Sequence, residues 1–353
     1  MHRRSLPYCS LLFVVSLLVA CDSTPKIGKF ENLLGVQGPQ LWSISFDSKN
    51  HPLVGGSGLA GSRGALRYTD ADGWVLVGKS DAQINRFFPA DDGGAYAVAG
   101  TALYKINVDA PEWTMVQSLA QTGAVVNVNY VAGDGTMYGA LTGGAQQSVY
   151  RRIGGNAWLP LNSAADPFGS TTKIADKTHN LYFFPPNQDV VRRDAGASTE
   201  HVFIDCHTKD LLQCQLDLFP IQFDGDGALY LETHAPLAIR VYRVGASGGT
   251  PTLVAALPSG DPPNDYTYFA SASVTANGTV YLAGKRSSDA YSFGSTFRFK
   301  PGEPSGTMFL ASPSDQEAPG GITPAPSANI AVAPDDTVYA WLPVNGGVSR
   351  FVP

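Results

Sequence analysis

The sequence predicts an all-β chain folded as one seven-bladed β-propeller, closed by its own N-terminal strand. Three observations carry that expectation. A strand–turn–strand pattern recurs seven times along the chain. Gly (38) and Pro (25) punctuate short apolar runs throughout, a profile that long helices would not give. And the last copy of the pattern lacks a strand that only the N-terminus is placed to supply.

Each copy is a hydrophobic run, a turn with Asp or Asn and usually Gly, and a short run centred on Tyr. The copies read FDSKNHPLV ending at Val54, ADDGGAYAV with Tyr96, AGDGTMYGA with Tyr138, ADKTHNLYF with Tyr182, DGDGALYLE with Tyr230, TANGTVYLA with Tyr281 and APDDTVYAW with Tyr339. The anchors lie 42 to 58 residues apart. A third strand follows each anchor and carries a basic residue: Arg67, Lys105, Arg151, Arg192, Arg243, Arg298 and Arg350. A fourth follows in six copies, opened by Trp74, Trp113 and Trp158 in the first three. Four short strands per unit, repeated, make propeller blades.

The seventh copy has strands near 329–332, 338–342 and 348–352, and then the chain stops. KIGKFENLL, residues 26–34, is expected to complete it as the outermost strand, hiding open sheet edges and tying the ring shut. In a blade counted outward from the channel, the 1–2 and 3–4 turns share one face, here the near face. The 2–3 and blade-to-blade segments share the other, the far face. A fourth strand begins on the near face, so the chain enters there, at the rim.

Charged residues are 15% of the chain, hydrophobic residues 44%, and the formal charge is −6. That is neither a disordered chain nor a polytopic membrane protein. Without a concentrated basic surface, nucleic acid is not an expected partner.

The N-terminus MHRRSLPYCSLLFVVSLLVAC has a basic start, a short apolar run and then Cys21. The run suits a secretory signal better than a transmembrane helix. Leu18-Val19-Ala20-Cys21 resembles the lipobox of bacterial lipoproteins. The resemblance implies a signal peptide over 1–20, cleavage before Cys21, and lipidation of Cys21. A tether over 21–28 and one domain over 29–353 follow. The alternative is an ordinary cleaved signal in which Cys21 is incidental. Lipidation would hold a monomer on the cell envelope, facing the periplasm or exterior. Asp22 leaves the choice of membrane open. Seven tether residues reach at most about 25 Å, so the near face would lie close to the bilayer.

The repeat resembles, in architecture, bacterial propellers of the two-component-regulator, NHL and streptogramin-lyase-like kinds. Streptogramin-lyase-like propellers use His and Glu with a divalent cation. The best partial echo here is His234 with Glu232, two residues apart on one strand and so on one side of it. No catalytic role is carried over from that echo, and no cofactor is expected beyond a possible divalent cation.

The long segments fall on the far face: 162–172, 205–220, 258–269, 285–295 and 312–327. Long segments on a rigid scaffold are where binding resides. The ligand-binding candidates there are Asp261, Asp265, Tyr266, Tyr268, Asp289, Tyr291, Asp315 and Glu317, with Asp166, Phe168 and Asp210 beside them. Aromatics beside carboxylates suit sugars, peptides or cations. Cys206 and Cys214 read as a disulfide in an oxidising compartment; a metal site with His201 or His207 is the alternative. The third-strand basic residues could form a charged ring, but pairing with turn acids is the better expectation, because a feature of every repeat usually serves the repeat.

The expected function is a membrane-anchored, non-catalytic binding or scaffold module for an envelope protein or glycan. The competing readings are an exported lyase or hydrolase working at the channel mouth, and a purely structural envelope protein.

Overall fold

One five-residue turn, used seven times, sets the frame. Its first residues are Asp47, Ala90, Ala132, Asp176, Asp224, Thr275 and Ala333. In every copy the first amide donates to the fifth carbonyl at 2.9–3.1 Å, and the fourth amide donates to the first carbonyl at 2.8–3.1 Å. The fourth residue must then take a left-handed backbone. It is Asn50, Gly93, Gly135, His179, Gly227, Gly278 or Asp336, at φ of 64° to 83°. This is a type I turn followed by a left-handed bulge residue, a favoured tight hairpin. The Asp or Asn of the sequence pattern caps it. Asp47, Asp176 and Asp224, at the first position, each accept two turn amides. Asp92, Asp134, Asn277 and Asp335, at the third, each accept the fifth amide.

The computed structural model describes residues 29–34, 40–47, 49–59, 62–79, 84–107, 113–119, 125–143, 145–206, 218–235, 238–257, 266–286, 295–303, 307–310, 329–341 and 348–352. The regular elements there are 28 strands, in seven four-stranded antiparallel sheets. Blade one is β2 (Gln40–Phe46), β3 (Pro52–Leu59), β4 (Ser62–Thr69) and β5 (Gly73–Lys79). Blade two is β6 (Ile84–Pro89), β7 (Ala95–Ala99), β8 (Ala102–Ile106) and β9 (Thr114–Ser118). Blade three is β10 (Val125–Val131), β11 (Met137–Thr142), β12 (Gln147–Arg151) and β13 (Leu159–Pro160). Blade four is β14 (Thr172–Ala175), β15 (Leu181–Phe184), β16 (Val190–Arg193) and β17 (Glu200–Ile204). Blade five is β18 (Leu218–Phe223), β19 (Leu229–Ala235), β20 (Ala238–Val244) and β21 (Thr252–Ala256). Blade six is β22 (Tyr266–Val274), β23 (Val280–Arg286), β24 (Ser295–Phe299) and β25 (Thr307–Leu310).

Blade seven is β26 (Asn329–Val332), β27 (Val338–Trp341) and β28 (Val348–Val352), completed by β1 (Lys29–Leu34). β1 pairs antiparallel with β28, Lys29 opposite Val352 and Phe30 opposite Phe351. The expected closing strand is therefore present, starting at Lys29 among the described residues. Trp74 donates its indole N–H to the Leu33 carbonyl at 2.8 Å, and Arg350 reaches Asp70 at 2.9 Å. Both bonds run between blade seven and blade one.

The register sharpens the repeat. Tyr96 faces Lys105, Tyr182 faces Arg192, Tyr230 faces Arg243, Tyr281 faces Arg298 and Tyr339 faces Arg350 across the second and third strands. In blade one the residue facing Arg67 is Leu53, so the anchor lies one before Val54. In blade three Tyr138 faces Tyr150, and Arg151 faces Met137. Blade three thus has a tyrosine where the other six have a cation.

The apolar core is divided as a ring requires. Each of the seven blade-to-blade interfaces has its own cluster, from Leu53, Ile84 and Phe87 between blades one and two to Val54, Tyr339 and Val348 between seven and one. Each blade buries both faces, so no blade is stable without neighbours. Trp74, Trp113 and Trp158 pack against these clusters.

Candidate functional site

Several far-face candidates, Asp261, Asp265, Asp289, Tyr291, Asp315 and Glu317, lie outside the described residues, as do Cys21, His207, Asp210 and Cys214. Tyr266 and Tyr268 are placed differently from expectation. They belong to the first strand of blade six, facing Arg286 and Lys285 of β23, and not to the segment before it. Cys206 follows β17, where its amide donates to Asp189 at 2.7 Å.

Asp166 is not a far-face ligand. It is fully buried, 2.7 Å from the equally buried Lys173 ammonium. The Ser148 hydroxyl and the Thr171 amide also donate to its carboxylate, at 3.1 and 2.9 Å. Lys173 donates further to Asn129 Oδ1 and the Gly169 carbonyl. Burial lowers the lysine pKa, and the Asp166 carboxylate opposes that shift. Every partner is polar or charged, so the pair fastens blade three to blade four. Phe168, two residues on, is more than half exposed.

The third-strand cations mostly serve the repeat. Lys105 pairs with Asp92, Arg192 with Asp194, Arg243 with Asp224 and Arg350 with Asp70, at 2.5, 2.7, 3.1 and 2.9 Å. Lys105 lies over the Tyr96 ring and Arg192 over Tyr182. The hydrogen bond from Lys105 holds the Asp92 carboxyl below its usual range. Arg151, one place out of register, donates to the Gly155 and Ser118 carbonyls.

The near-face histidines are structural in placement. His51 caps its own turn at 3.0 Å from Asp47, and His179 approaches Asp91 at 3.5 Å. His201 lies in β17, opposite Arg192. Among the described residues, no cluster of three or more His, Cys, Asp or Glu could hold a metal ion.

The first strands line the channel, where a cavity of about 470 Å³ lies among blades one, two, five, six and seven. Ser45, Phe46, Gln222, Ser271, Ser273 and Trp341 border it. Among the described residues, Glu232 is the one ionisable side chain on its lining. It faces Phe219 of β18 and is the middle residue of β19. The serines are committed: Ser271 Oγ accepts the Ile330 amide at 2.6 Å and Ser273 Oγ accepts the Val332 amide at 3.2 Å, joining blades six and seven. Gln222 donates across to the Val274 carbonyl. His234 is two residues along from Glu232, opposite Ile239. The described lining residues supply one carboxylate beside hydroxyls and carbonyls, a weak fit for a divalent cation, which prefers several charged oxygens.

Two further cavities open on the near face, in equivalent clefts between neighbouring blades. One, about 870 Å³, lies between blades five and six, with Tyr230, Arg243 and Asp224 on one wall and Asn277, Gly278 and Phe297 on the other. The second, about 560 Å³, lies between blades three and four, with Asp134, Tyr138, Tyr150 and Arg152 facing His179 and Arg193. Tyr150 stands where Arg243 stands in the first. Burial pushes Tyr130, behind this second wall, up to about 12, and Tyr138 up as well. The sequence reading missed Tyr150 because VYRR offers two arginines, and only the strand register shows that neither faces the anchor.

No family model matches the chain, and no curated protein sequence does. Solved structures are similar in fold. An oligogalacturonate lyase from Vibrio parahaemolyticus superposes with a TM-score of 0.66 at 11% identity, covering 94% of this chain and 95% of that one. A catalytically inactive variant of virginiamycin B lyase from Staphylococcus aureus, bound to quinupristin, gives 0.56 at 13%, covering 92% and 99%. The extracellular domain of a hybrid two-component system from B. thetaiotaomicron gives 0.55 at 12%, covering 92% of this chain and 39% of that one. At these identities the likeness establishes the seven-bladed propeller fold, shared by enzymes and by the extracellular domain of a two-component system.

Proposed function

We propose that this chain is a lipid-anchored envelope module that binds a protein or glycan at the far mouth of its channel, without catalysis. The observation that carries the reading is the channel cavity, with Glu232 as the ionisable residue on its lining among the described residues. A single carboxylate can orient a polar ligand, whereas acid–base chemistry usually needs a second, positioned group. The Cys21 anchor and the Cys206–Cys214 disulfide belong to this proposal. Because β1 begins at the near-face rim, an anchor just before it leaves the channel's far mouth turned away from the bilayer.

The test is affinity capture from detergent-solubilised envelope of the organism that makes the chain, with its cell-wall glycans. Soluble protein starting at Asp22 should retain a partner, and versions shortened within 258–265 and 312–327 should lose it. Retention by the shortened forms would overturn the far-face assignment.

A second reading, an exported lyase or hydrolase, is favoured by the fold shared with two lyases and by Glu232 and His234 lying two apart on one strand. One of the similar structures is an oligogalacturonate lyase in complex with manganese. The channel residues described here do not offer a manganese site, so no metal-dependent step is derived. Turnover of a small substrate, abolished by His234→Ala, would establish this reading in place of the first.

A further inference from the structure

We propose that the near-face cleft between blades three and four binds a single neutral pyranose ring, as the end of a glycan. This site is separate from the channel and does not rest on the channel reading.

The cavity, about 560 Å³, has the size of a small-molecule site. One wall is an aromatic ladder. Tyr130 and Tyr138 lie 6.0 Å apart at 33°, and Tyr138 and Tyr150 lie 6.3 Å apart at 28°. Tyr150 is the outermost ring of this ladder, half-buried and lining the cavity. An aromatic face attracts the polarised C–H groups on one side of a sugar ring through its negative quadrupole. Around this wall stand groups that can meet hydroxyls. Asp134 is exposed, with acceptor capacity beyond the Thr136 amide and hydroxyl it already holds. The side chains of Arg152 and Asn162 are exposed and make no hydrogen bond or ion pair among the described residues. His179 has a buried Nδ1 with no partner.

Charge decides between a neutral and an anionic ligand. Asp194 is neutralised by Arg192 and Arg193 by Glu200, both at 2.7 Å. One acid, Asp134, and one base, Arg152, remain on the lining, so it has no strong net sign. A neutral polyol satisfies both, whereas an anion would meet Asp134 as a like charge.

The cleft is also where the chain breaks its own repeat. Six blades place a cation opposite the anchor; blade three places Tyr150, which removes a charge and adds a ring. His179 holds φ of 64° at the fourth turn position, as Asn50 and Asp336 also hold left-handed backbones there, and brings its ring to the cleft lining.

The test is saturation-transfer NMR on the soluble chain, with methyl pyranosides of glucose, galactose, mannose and N-acetylglucosamine as probes, and sodium glucuronate as the anionic arm. At least one methyl pyranoside should bind at millimolar concentration. Tyr150→Arg, which restores the cation that the other six blades carry, should weaken it about tenfold with the melting temperature unchanged. Arg152→Ala, at an exposed side chain, should weaken it about threefold and serves if Tyr150→Arg misfolds. Arg243→Ala, in the other cleft, and Glu232→Gln, in the channel, should leave it unaltered. The proposal is overturned if none of the four sugars binds, if binding survives both cleft variants, or if glucuronate binds more tightly than every neutral ring.

Discussion

The clefts between blades three and four and between blades five and six are the same place in the repeat, built to different ends. Each is walled by the second and third strands of one blade and the turns of the next. Between five and six, Arg243 closes the wall onto Asp224, and the seam beneath is apolar, with Leu282, Val280 and Phe297 buried against Val241 and Ala255. Between three and four, Tyr150 replaces the cation, and part of the seam is the buried Lys173–Asp166 pair. A repeat protein needs its copies alike for packing, so a copy that departs from the rest at an interface has been released from that demand. The departures here are side chains with chemistry.

That contrast can be broken at several points. The largest effect is expected at Lys173. Lys173→Met leaves Asp166 buried without its partner and should cost about 3–5 kcal/mol in urea unfolding. Adding Asp166→Asn should recover much of the loss; a double variant no better than the single would mean the pair is not the fastening. The corresponding change in the apolar seam, Leu282→Ala, should cost about 2–5 kcal/mol, with no partner able to rescue it.

The turn residues give a smaller, opposite-signed pair. A methyl group on Gly278 would meet the Tyr230 hydroxyl at 2.6 Å, at φ of 83°. Gly278→Ala should therefore lose about 1–2 kcal/mol. His179→Gly relieves a left-handed backbone and should gain about 0.5–1 kcal/mol. Equal signs in the two variants would contradict the strain assigned to His179.

A further effect, confined to alkaline solution, comes from Tyr130. Tyr130 titrates at about 12 in the folded chain, against 10.0 for an ordinary tyrosine, because burial disfavours its phenolate. Below pH 10 both folded and unfolded chains keep that proton, so stability should be flat. Above it the unfolded chain ionises first, so stability should fall between about pH 10 and 12. Loss of Tyr130, as Tyr130→Phe, should make that fall shallower.

Much of the fold was legible because turns carry chemistry. Asp or Asn at the first or third turn position caps the hairpin in every copy, and four of the seven have Gly at the left-handed fourth position, so all seven copies could be read, and the missing fourth strand located the closing one. The register was legible only to within a residue: Leu53-Val54 offers two adjacent candidates, Arg151-Arg152 offers two that strand pairing sets aside for Tyr150, and only that pairing decides. Lys173 was illegible, since TTKIA reads as an ordinary alternating strand with its lysine in solvent. Its partner, seven residues earlier, was taken for a loop acid. The clefts were illegible for a different reason: each is made by two blades, and no local pattern reports what the next blade brings. Glu232 was singled out through a resemblance, and the channel is where the structure places it.

The most direct measurement is the affinity of the captured partner for the soluble chain and for Glu232→Gln, which keeps the side chain's shape and removes its charge. If the channel mouth is the binding site, the dissociation constant should rise about tenfold or more while the melting temperature stays within a degree or two. An unchanged dissociation constant, with the partner still captured, would contradict the channel as the seat of function.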